Sequence, residues 1–370
     1  MYIGKVSLRN YRNVKHADFI CGKGINVLVG DNGQGKTNTI EALLLALSGR
    51  SHRESLSENF IGPAADKASV EVDLRYSDDS SYEVCLSLSP QGKRYTVNEE
   101  PVRRRLELLR QFSLVFFCPE DLRLVKDGPA VRRDFLNESI GMLAPAYGAA
   151  LADYNRVLKQ RAALLREYSP SSLSLMEVYD ESLAKSGSAL IRYRIKFLRE
   201  FEKHLNIRYQ EIAGGRETLT LSYVSDLFAA GIPKQLEQAY QQALSKTRAA
   251  DIAARTNMVG AHRDDVALFL NGKNARRFAS QGQQRSIALC MKLSLISLIY
   301  EKNKEMPIVL LDDVMSELDD ARQRQILSLV KGTQTFITCV NEEFLKYCTN
   351  AAVFRVKDGA INKENQNGNQ

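Results

Sequence analysis

The fold is decided by the stretch Gly30-Asp31-Asn32-Gly33-Gln34-Gly35-Lys36-Thr37, which fits the phosphate-loop pattern G-x-x-x-x-G-K-S/T. The apolar run 25–29 before it is typical of a buried parallel strand, and residues 39–47 after it repeat apolar side chains at helical spacing. A glycine-rich turn at a helix start offers backbone N–H groups and the positive helix dipole to an anion. All eight residues are therefore predicted to bind ATP, with Lys36 at the β- and γ-phosphates and Thr37 on Mg²⁺.

Composition indicates a globular protein with room for two domains. The chain has 370 residues, of which 44% are hydrophobic and 26% charged, and this is enough for a sizeable core. A net charge of +7 fits an acidic polymer as partner, but it also fits a merely basic enzyme. The six cysteines form no Cys-x-x-Cys pair, which favours reduced thiols over a zinc site or a disulfide framework. Because the sequence shows neither a signal-peptide core nor an apolar run near the ~20 residues of a membrane span, we expect a cytoplasmic protein.

The periodicity of apolar residues changes twice along the chain. Residues 1–145 are predicted to form the N-terminal part of an α/β head, with an antiparallel meander over 70–97. Residues 146–250 change to helical spacing and are predicted to form a helical arm whose long helix ends at Gly214-Gly215.

The α/β pattern then resumes over residues 251–362, the predicted C-terminal part of the head. Here Asn271-Gly272 predicts a type I′ hairpin between strands at 266–270 and 274–278. Residues 353–356 are predicted to form an edge strand, and the polar tail 363–370 is predicted to be disordered.

Two acidic residues end the apolar run 308–311. In phosphoryl-transfer sites the first such acid holds Mg²⁺, and the next orients or deprotonates the attacking water. We therefore assign Asp312 to the metal and Asp313 to the water, which makes Lys36 and Asp313 the catalytic candidates. A strand that ends in a solvated acidic turn is the alternative for this pair taken alone.

A third motif is the segment Ser280-Gln281-Gly282-Gln283-Gln284, which opens an apolar helix. A small hydroxyl and a glycine at a helix start can form a second anion site. An ordinary N-cap at Ser280 is the simpler interpretation when the segment is considered alone.

The order of these motifs resembles an ABC-type ATPase: phosphate loop, Ser280 segment, acidic pair, then Ser316-Glu317-Leu318-Asp319. This resemblance implies an α/β fold, an ABC-type P-loop ATPase head with an antiparallel β meander and an inserted helical arm. It implies that Ser280, Gly282 and Gln283 contact ATP held by a second copy, so that ATP joins two heads. Residues 316–319 would be the D-loop at the same interface. Many proteins of this architecture carry Glu at position 313, so the shorter Asp313 predicts slow hydrolysis.

Finer features are similar to the RecF family, the bacterial recombination mediators within the SMC-like ABC ATPases. The matching segments are residues 8–13, 117–122, 128–136, 260–265 and 311–319. The resemblance implies an ATP-dependent homodimer on double-stranded DNA and gapped DNA junctions. It also implies partners of the RecR and RecO type and a role in recombinase loading, DNA repair, replication and the SOS response.

Two positions depart from the family pattern. Residues 337–341 contain no switch histidine, which leaves the γ-phosphate sensor unassigned. Ala261 stands where proline is expected, and the adjacent His262 is interpreted as a packed loop residue rather than a ligand.

DNA contacts are predicted on the arm. Residues 151–250 contain 15 Lys/Arg and 11 Asp/Glu, so 15 − 11 = +4 of the net charge lies there. The long helix carries the candidate phosphate contacts Arg192, Arg194, Lys196, Arg199 and Lys203. A separate run of basic residues lies at 103–105. A solvated helix face is the alternative for the arm cluster.

Two other functions fit parts of the sequence. A chromosome-organising ATPase of the SMC type would need a far longer arm or a Cys-x-x-Cys hook. A metabolic P-loop transferase would need an acceptor pocket and would use the Ser280 segment only as a helix cap.

Overall fold

The structure is a computed structural model that describes residues 1–103, 105–228, 231–348 and 350–364, without the side chains of residues 106 and 317. It divides into two compact units. The first comprises Met1–Asp121 and Leu289–Gln370, and the second comprises Leu122–Ala288. The predicted arm, 146–250, lies within the second unit, whose bounds are wider on both sides. Most of the predicted tail, from residue 365 onward, lies outside the described residues.

The strands and helices of the described chain are numbered in order. The strands are β1 Tyr2–Tyr11, β2 Val14–Ile20, β3 Ile25–Val29, β4 Ala68–Arg75, β5 Ser81–Ser89, β6 Gly92–Val97, β7 Glu100–Val102, β8 Leu114–Phe117, β9 Leu219–Val224, β10 Asp265–Leu270, β11 Lys273–Asn274, β12 Ile308–Leu311, β13 Thr335–Cys339, β14 Ala352–Lys357 and β15 Ala360–Lys363. The α-helices are α1 Lys36–Ser48, α2 Arg105–Gln111, α3 Arg123–Lys126, α4 Pro129–Leu143, α5 Pro145–Arg166, α6 Leu173–Ala213, α7 Leu236–Ala254, α8 Ala275–Phe278, α9 Gln281–Asn303 and α10 Asp320–Leu329.

The phosphate-loop strand lies inside a six-stranded sheet of order β15-β14-β3-β13-β12-β8. Strands β14, β3, β13, β12 and β8 run parallel, and β15 is antiparallel to β14. Because the parallel strands are covered on both faces, they read as continuous apolar runs in the sequence. The prediction of an edge strand at 353–356 is wrong, since β14 pairs with β3 on one side and with β15 on the other.

The second sheet of this unit is antiparallel, with the order β2-β1-β4-β5-β6-β7. Its β4, β5 and β6 form the predicted meander. Helix α1 is buried almost all round, and it shares one apolar core with the inner face of this sheet and with strands of the parallel sheet. Ile40, Leu43 and Leu47 are fully buried there, which stabilises the fold by about 1.5–3 kcal/mol for each side chain. This packing fixes the start of α1 at the end of β3.

The second unit contains the 41-residue helix α6, which ends at Gly214 in a left-handed conformation, as predicted. Helices α5 and α7 pack against α6. A buried ion network ties the three helices together: Arg161 donates to Asp180 and to Asp251, at 2.7 Å each. Removing Arg161 would leave the buried Asp251 without its ion-pair partner, at a cost of about 3–5 kcal/mol, whereas Asp180 would keep its ion pair with Arg248.

A three-stranded sheet, β11-β10-β9, completes this unit. The predicted turn at Asn271-Gly272 is present, with both residues at positive φ. The strand predicted at 274–278 is wrong, because pairing stops at Asn274 and residues 275–278 form the short helix α8. Strand β9, which the sequence analysis missed, pairs with β10 along its whole length.

Candidate nucleotide site

The phosphate loop connects β3 to α1 and approaches its neighbours closely. A Cβ on Gly30 would lie 2.2 Å from the carbonyl oxygen of Val356, so only glycine fits there. Gly35 is the N-cap of α1 and has a φ of 114°, in a region that side chains disfavour. No side chain caps the first turn of α1. Its first backbone N–H groups are therefore free of side-chain competition for an anion.

Lys36 is buried at the first position of α1. Its Nζ donates to the carbonyl oxygens of Gly30 at 2.7 Å and Asp31 at 2.8 Å, which holds the ammonium under the loop. Burial lowers the pKa of Lys36, and the nearby carboxylate of Asp313 opposes that shift. The positive charge of Lys36 thus lies under the loop, where the motif predicts the phosphates to bind.

Thr37, in the first turn of α1, lies beside Asp312, which follows the carboxyl end of β12. The Thr37 hydroxyl donates to Asp312 Oδ1 at 2.9 Å, although the two residues are 275 positions apart in the sequence. Burial raises the pKa of Asp312, while the hydrogen bonds from Thr338 and Thr37 lower it in part. The structure thus brings together the two residues that the sequence assigned to a metal.

Thr338, which the sequence analysis did not assign, connects the two acids. Its hydroxyl donates to Asp312 Oδ1 at 2.7 Å and accepts from the backbone N–H of Asp313 at 2.8 Å. Thr338 is only 1% exposed, at the end of β13 beside β12. A hydroxyl residue at the carboxyl end of the strand next to the acidic pair was the signal available in the sequence.

Asp313 is exposed and adopts a φ of 53°, which is uncommon for a residue other than glycine. The Ser316 hydroxyl donates to the carbonyl oxygen and to Oδ1 of Asp313, at 2.9 Å each. With Thr338 holding its N–H, Asp313 is fixed from both sides, while its carboxylate stays accessible to solvent.

Two turns hold the phosphate loop from outside. Asn13, in the turn between β1 and β2, donates to the carbonyl oxygen of Gly33 at 3.1 Å. In the turn between β14 and β15, the N–H of Asp358 donates to Gln34 Oε1 at 2.6 Å and that of Gly359 donates to the Gln34 carbonyl at 3.0 Å. The loop conformation is therefore supported by residues distant in sequence.

The second predicted helix start begins at Ser280. Here the helix caps itself: the N–H of Gln283 donates to Ser280 Oγ at 3.2 Å, and the N–H of Ser280 donates to Gln283 Oε1 at 2.8 Å. The Gln283 amide also donates to Glu217 at 2.6 Å, whereas a Cβ on Gly282 would meet nothing within 4 Å. This geometry is that of a capped helix, and the predicted contacts of Ser280, Gly282 and Gln283 to ATP of a second copy stay predictions.

The predicted DNA-contact cluster on α6 divides in two. Arg194 is 2% exposed, and its guanidinium donates to the carbonyl oxygen of Ala261 at 2.6 Å and to tyrosine hydroxyls. The structure therefore contradicts Arg194 as a phosphate contact, because its donors are already used inside the unit. The four other side chains are exposed at spacings of four, three and four residues, along one face of the helix: Arg192, Lys196, Arg199 and Lys203.

His262 packs as predicted. Its Nδ1 lies 2.8 Å from the Tyr154 hydroxyl, and burial lowers its pKa to about 4. The basic run at 103–105 is described only in part, since residue 104 lies outside the described chain.

The fold and the paired acids beside a phosphate loop define a class of ATPase-like heads, and residues 2–362 match the family described as "RecF/RecN/SMC N terminal domain". The chain belongs to that family, and within it to the RecF proteins. It is 38% identical to the DNA replication and repair protein RecF of Exiguobacterium sp. over 98% of this chain and 100% of that protein. Identity to the RecF protein of Bacillus mycoides is 35%, over 98% and 99% of the two chains.

Solved structures agree with this assignment. The recombination mediator protein RecF with ATP, of the RecFOR pathway, superposes with a TM-score of 0.91 at 31% identity over 98% of both chains. An Smc head bound to the C-winged helix domain of ScpA gives a TM-score of 0.58 at 16% identity, which supports the fold alone. The predicted fold class, an ABC-type head with a helical insertion, is confirmed. Among the described helices, none is long and apolar enough to cross a membrane.

Proposed function

We propose that this chain is an ATP-dependent DNA-binding recombination mediator with weak, DNA-dependent ATPase activity. The observation that carries the proposal is the connected set of hydrogen bonds from Thr37 through Asp312 and Thr338 to Asp313, beside an uncapped helix start. Such a set orders a metal-binding oxygen pair and a water-orienting acid around one point. Relatives described as RecF with ATP support ATP as the nucleotide.

The residues fit MgATP on chemical grounds. Thr37 and Asp312 offer two hard oxygen donors 2.9 Å apart, as Mg²⁺ prefers when phosphates complete its shell. Held by Thr37 and Asp312, Mg²⁺ would supply positive charge that neutralises the charge developing on the phosphates during transfer. Gly33 and Gly35, both at positive φ, turn the backbone N–H groups of the loop toward the same space.

The chain's own residues perform the remaining steps. Lys36 exchanges its two backbone carbonyl acceptors for phosphate oxygens and so supplies a positive charge from a partly desolvated position. Asp313 orients the attacking water and accepts its proton, and Ser316 and the Thr338-held N–H fix its position. The short reach of its carboxylate makes hydrolysis slow.

Two copies would close on the nucleotide, with Ser280, Gly282 and Gln283 of one copy facing ATP held by the other. The closed dimer clamps double-stranded DNA near single-strand gaps, and hydrolysis releases it. We place the chain with RecR- and RecO-type partners in recombinase loading, DNA repair, replication restart and the SOS response. Support comes from relatives described as DNA replication and repair proteins and as mediators in the RecFOR pathway.

Sizing the Asp313→Asn protein with and without MgATP tests the clamp. The variant keeps the nucleotide cradle but loses the proton acceptor, so it is expected to double in mass with ATP and to stay doubled. Unchanged mass under saturating ATP would contradict the clamp, and nucleotide binding measured on the same sample separates that outcome from a failed site. A gel-shift series on gapped, duplex and single-stranded DNA, with and without ATP, then identifies the preferred DNA.

A further inference from the structure

The outer face of the antiparallel sheet carries an aligned row of basic and hydroxyl side chains. Arg9 of β1 pairs in register with Ser69 of β4, Ser69 with Ser87 of β5, and Ser87 with Arg94 of β6. Neighbouring strands are spaced about 4.8 Å apart, so this row spans roughly 14 Å from Arg9 to Arg94. All four residues belong to the opposite face from the apolar core residues Val70 and Leu86.

This row lies in a groove of about 730 Å³ at one end of the sheet. The groove is also lined by Lys67, by Lys93 and by Ser89 of the β5–β6 turn region, and no acidic residue is among its described lining. Three cationic side chains, Arg9, Lys67 and Arg94, therefore share one concave surface with three serine hydroxyls, whereas the Lys93 side chain lies on the other face of the sheet, against Phe60. Hydroxyls and cations together are the donors that proteins use on phosphodiester oxygens.

The charges of the groove differ in how freely they can meet a ligand. Lys67 and Arg94 are exposed, and neither is within ion-pair distance of an acid among the described residues. Arg9 is already held by Asp18, at 2.8 and 3.0 Å. Lys93 lies 4.6 Å from the centre of the Phe60 ring, and burial lowers its pKa. Lys67 and Arg94 are thus the groove's principal contacts for an anion.

Toward the other end of the strands, the same face carries acidic side chains as well as basic ones. One row beyond Arg9, Glu71 of β4 lies opposite Cys85, and one row further Asp73 lies opposite Glu83. The cations Lys5 and Arg75 lie among these acids, so the groove is the part of the face whose charges are uniformly positive and favour an anionic polymer.

We propose that this groove, formed by Arg9, Lys67, Ser69, Ser87 and Arg94, binds the phosphodiester backbone of duplex DNA. A single phosphate would need donors that converge on one point, whereas these donors are spread along a row, as a polymer of phosphates requires. No aromatic ring is among the described lining residues, so base stacking on a single strand is not provided. The contact is independent of DNA sequence. This inference rests on the proposed DNA-binding function and adds a second surface to the cluster on α6.

The test compares two double variants that remove the same charges from the same sheet face. Lys67→Ala/Arg94→Ala removes the two exposed cations of the groove that have no ion-pair partner among the described residues, and the matched control Lys5→Ala/Arg75→Ala removes one exposed lysine and one exposed arginine outside it. Duplex-DNA affinity is measured with MgATP at several salt concentrations. The groove variant is expected to bind roughly tenfold more weakly, with the slope of log affinity against log salt reduced by about 2. The control is expected to retain parental affinity and slope.

Ser87→Asp provides a second variant, since it adds one negative charge at the centre of the row on an exposed side chain. It is expected to weaken duplex binding while ATP binding and thermal stability stay at the parental level. Equal losses in the groove variant and the control, or no loss in either, overturn the groove. A parental protein that binds no duplex at any salt concentration instead overturns the DNA-binding function itself.

Discussion

The two helix starts that the sequence marked as phosphate-facing are built differently. Helix α1 begins at Gly35 with no side-chain cap, whereas Ser280 and Gln283 cap the start of α9 by reciprocal hydrogen bonds. The backbone N–H groups at the start of α1 are open to an anion, because no side-chain cap has to be displaced from them. At the second, an arriving phosphate has to compete with the serine hydroxyl. The two starts therefore differ in what an anion would have to displace, and the proposed roles, a nucleotide site within one chain and a contact to ATP held by a second copy, rest on that difference.

The largest effect is expected from Lys36→Ala, which removes the buried positive charge at the start of α1. A charge-assisted hydrogen bond contributes about 1.5–3 kcal/mol, so ATP affinity should fall by roughly 10- to 100-fold or more, and ATP-dependent dimerisation and DNA retention should disappear. Titration with a fluorescent ATP analogue measures it. The control is Ser280→Ala, which should bind ATP like the parent and yet fail to dimerise. If both variants bind ATP equally, the two starts do not differ as proposed.

Thr338→Val keeps the shape of the side chain and removes the hydroxyl that connects Asp312 with Asp313. Support residues behind a metal site typically change metal affinity or activity by 10- to 100-fold, so ATP turnover should fall by about that factor. Steady-state ATPase assays over a range of Mg²⁺ concentrations measure this, and Thr338→Ser should restore most of the rate. Full activity in the valine variant would show that the acids hold their places without Thr338.

The stability of the second unit is expected to depend on pH through His262. Burial lowers the pKa of His262 to about 4, below the ordinary value near 6.5. The unfolded chain therefore binds the proton first, and this contribution to stability is lost as pH falls from about 6.5 toward 4, by no more than about 1.4 kcal/mol per pH unit. Chemical denaturation at pH 7 and pH 5 measures it. His262→Gln should flatten the dependence, and an unchanged slope in that variant would contradict the role of His262.

The smallest effect is expected from removing the Ser280 side chain that caps α9. Ser280→Ala should lower the free energy of unfolding by about 1 kcal/mol, as for other N-cap serines, whereas Ser280→Asp keeps a capping oxygen and should stay near the parent. The aspartate also brings negative charge to the predicted contact with ATP, so it should block dimerisation despite normal stability. Thermal melting of both variants tests the cap, and sizing with ATP tests dimerisation. If the Ser280→Asp protein dimerises with ATP, a phosphate does not bind at Ser280.

The sequence was informative where chemistry and local pattern coincide. Gly30 to Thr37 predicted the loop, its strand and its helix, because each glycine has a backbone role that the motif encodes. Thr37 and Asp312, both assigned to the metal, lie within hydrogen-bond distance because each lies beyond the carboxyl end of a strand of the same parallel sheet. Their metal and catalytic roles stay predictions, as does the role of Asp313.

Elsewhere the sequence alone gave a wrong or incomplete prediction. Arg194 looks like its exposed neighbours in the sequence, and only the packed unit shows that its donors are used internally. Strand β15 was missed although Asp358-Gly359, both at positive φ, is a strong hairpin signal. Residues 275–278 were predicted as strand from local spacing, but the Ala279 N–H bonds back to Ala275 in a helical turn. Tertiary packing decided the case of Arg194, whereas the other two depended on local turns.

The support that the β14–β15 turn gives the phosphate loop has a consequence for biosynthesis. The hydrogen bond from Asp358 to Gln34 joins residues 324 positions apart. At about 5–20 residues per second, the ribosome adds this stretch in roughly 16 to 65 seconds. The loop is therefore synthesised well before the turn that supports it, and during that interval it lacks the hydrogen bonds from Asp358 and Gly359.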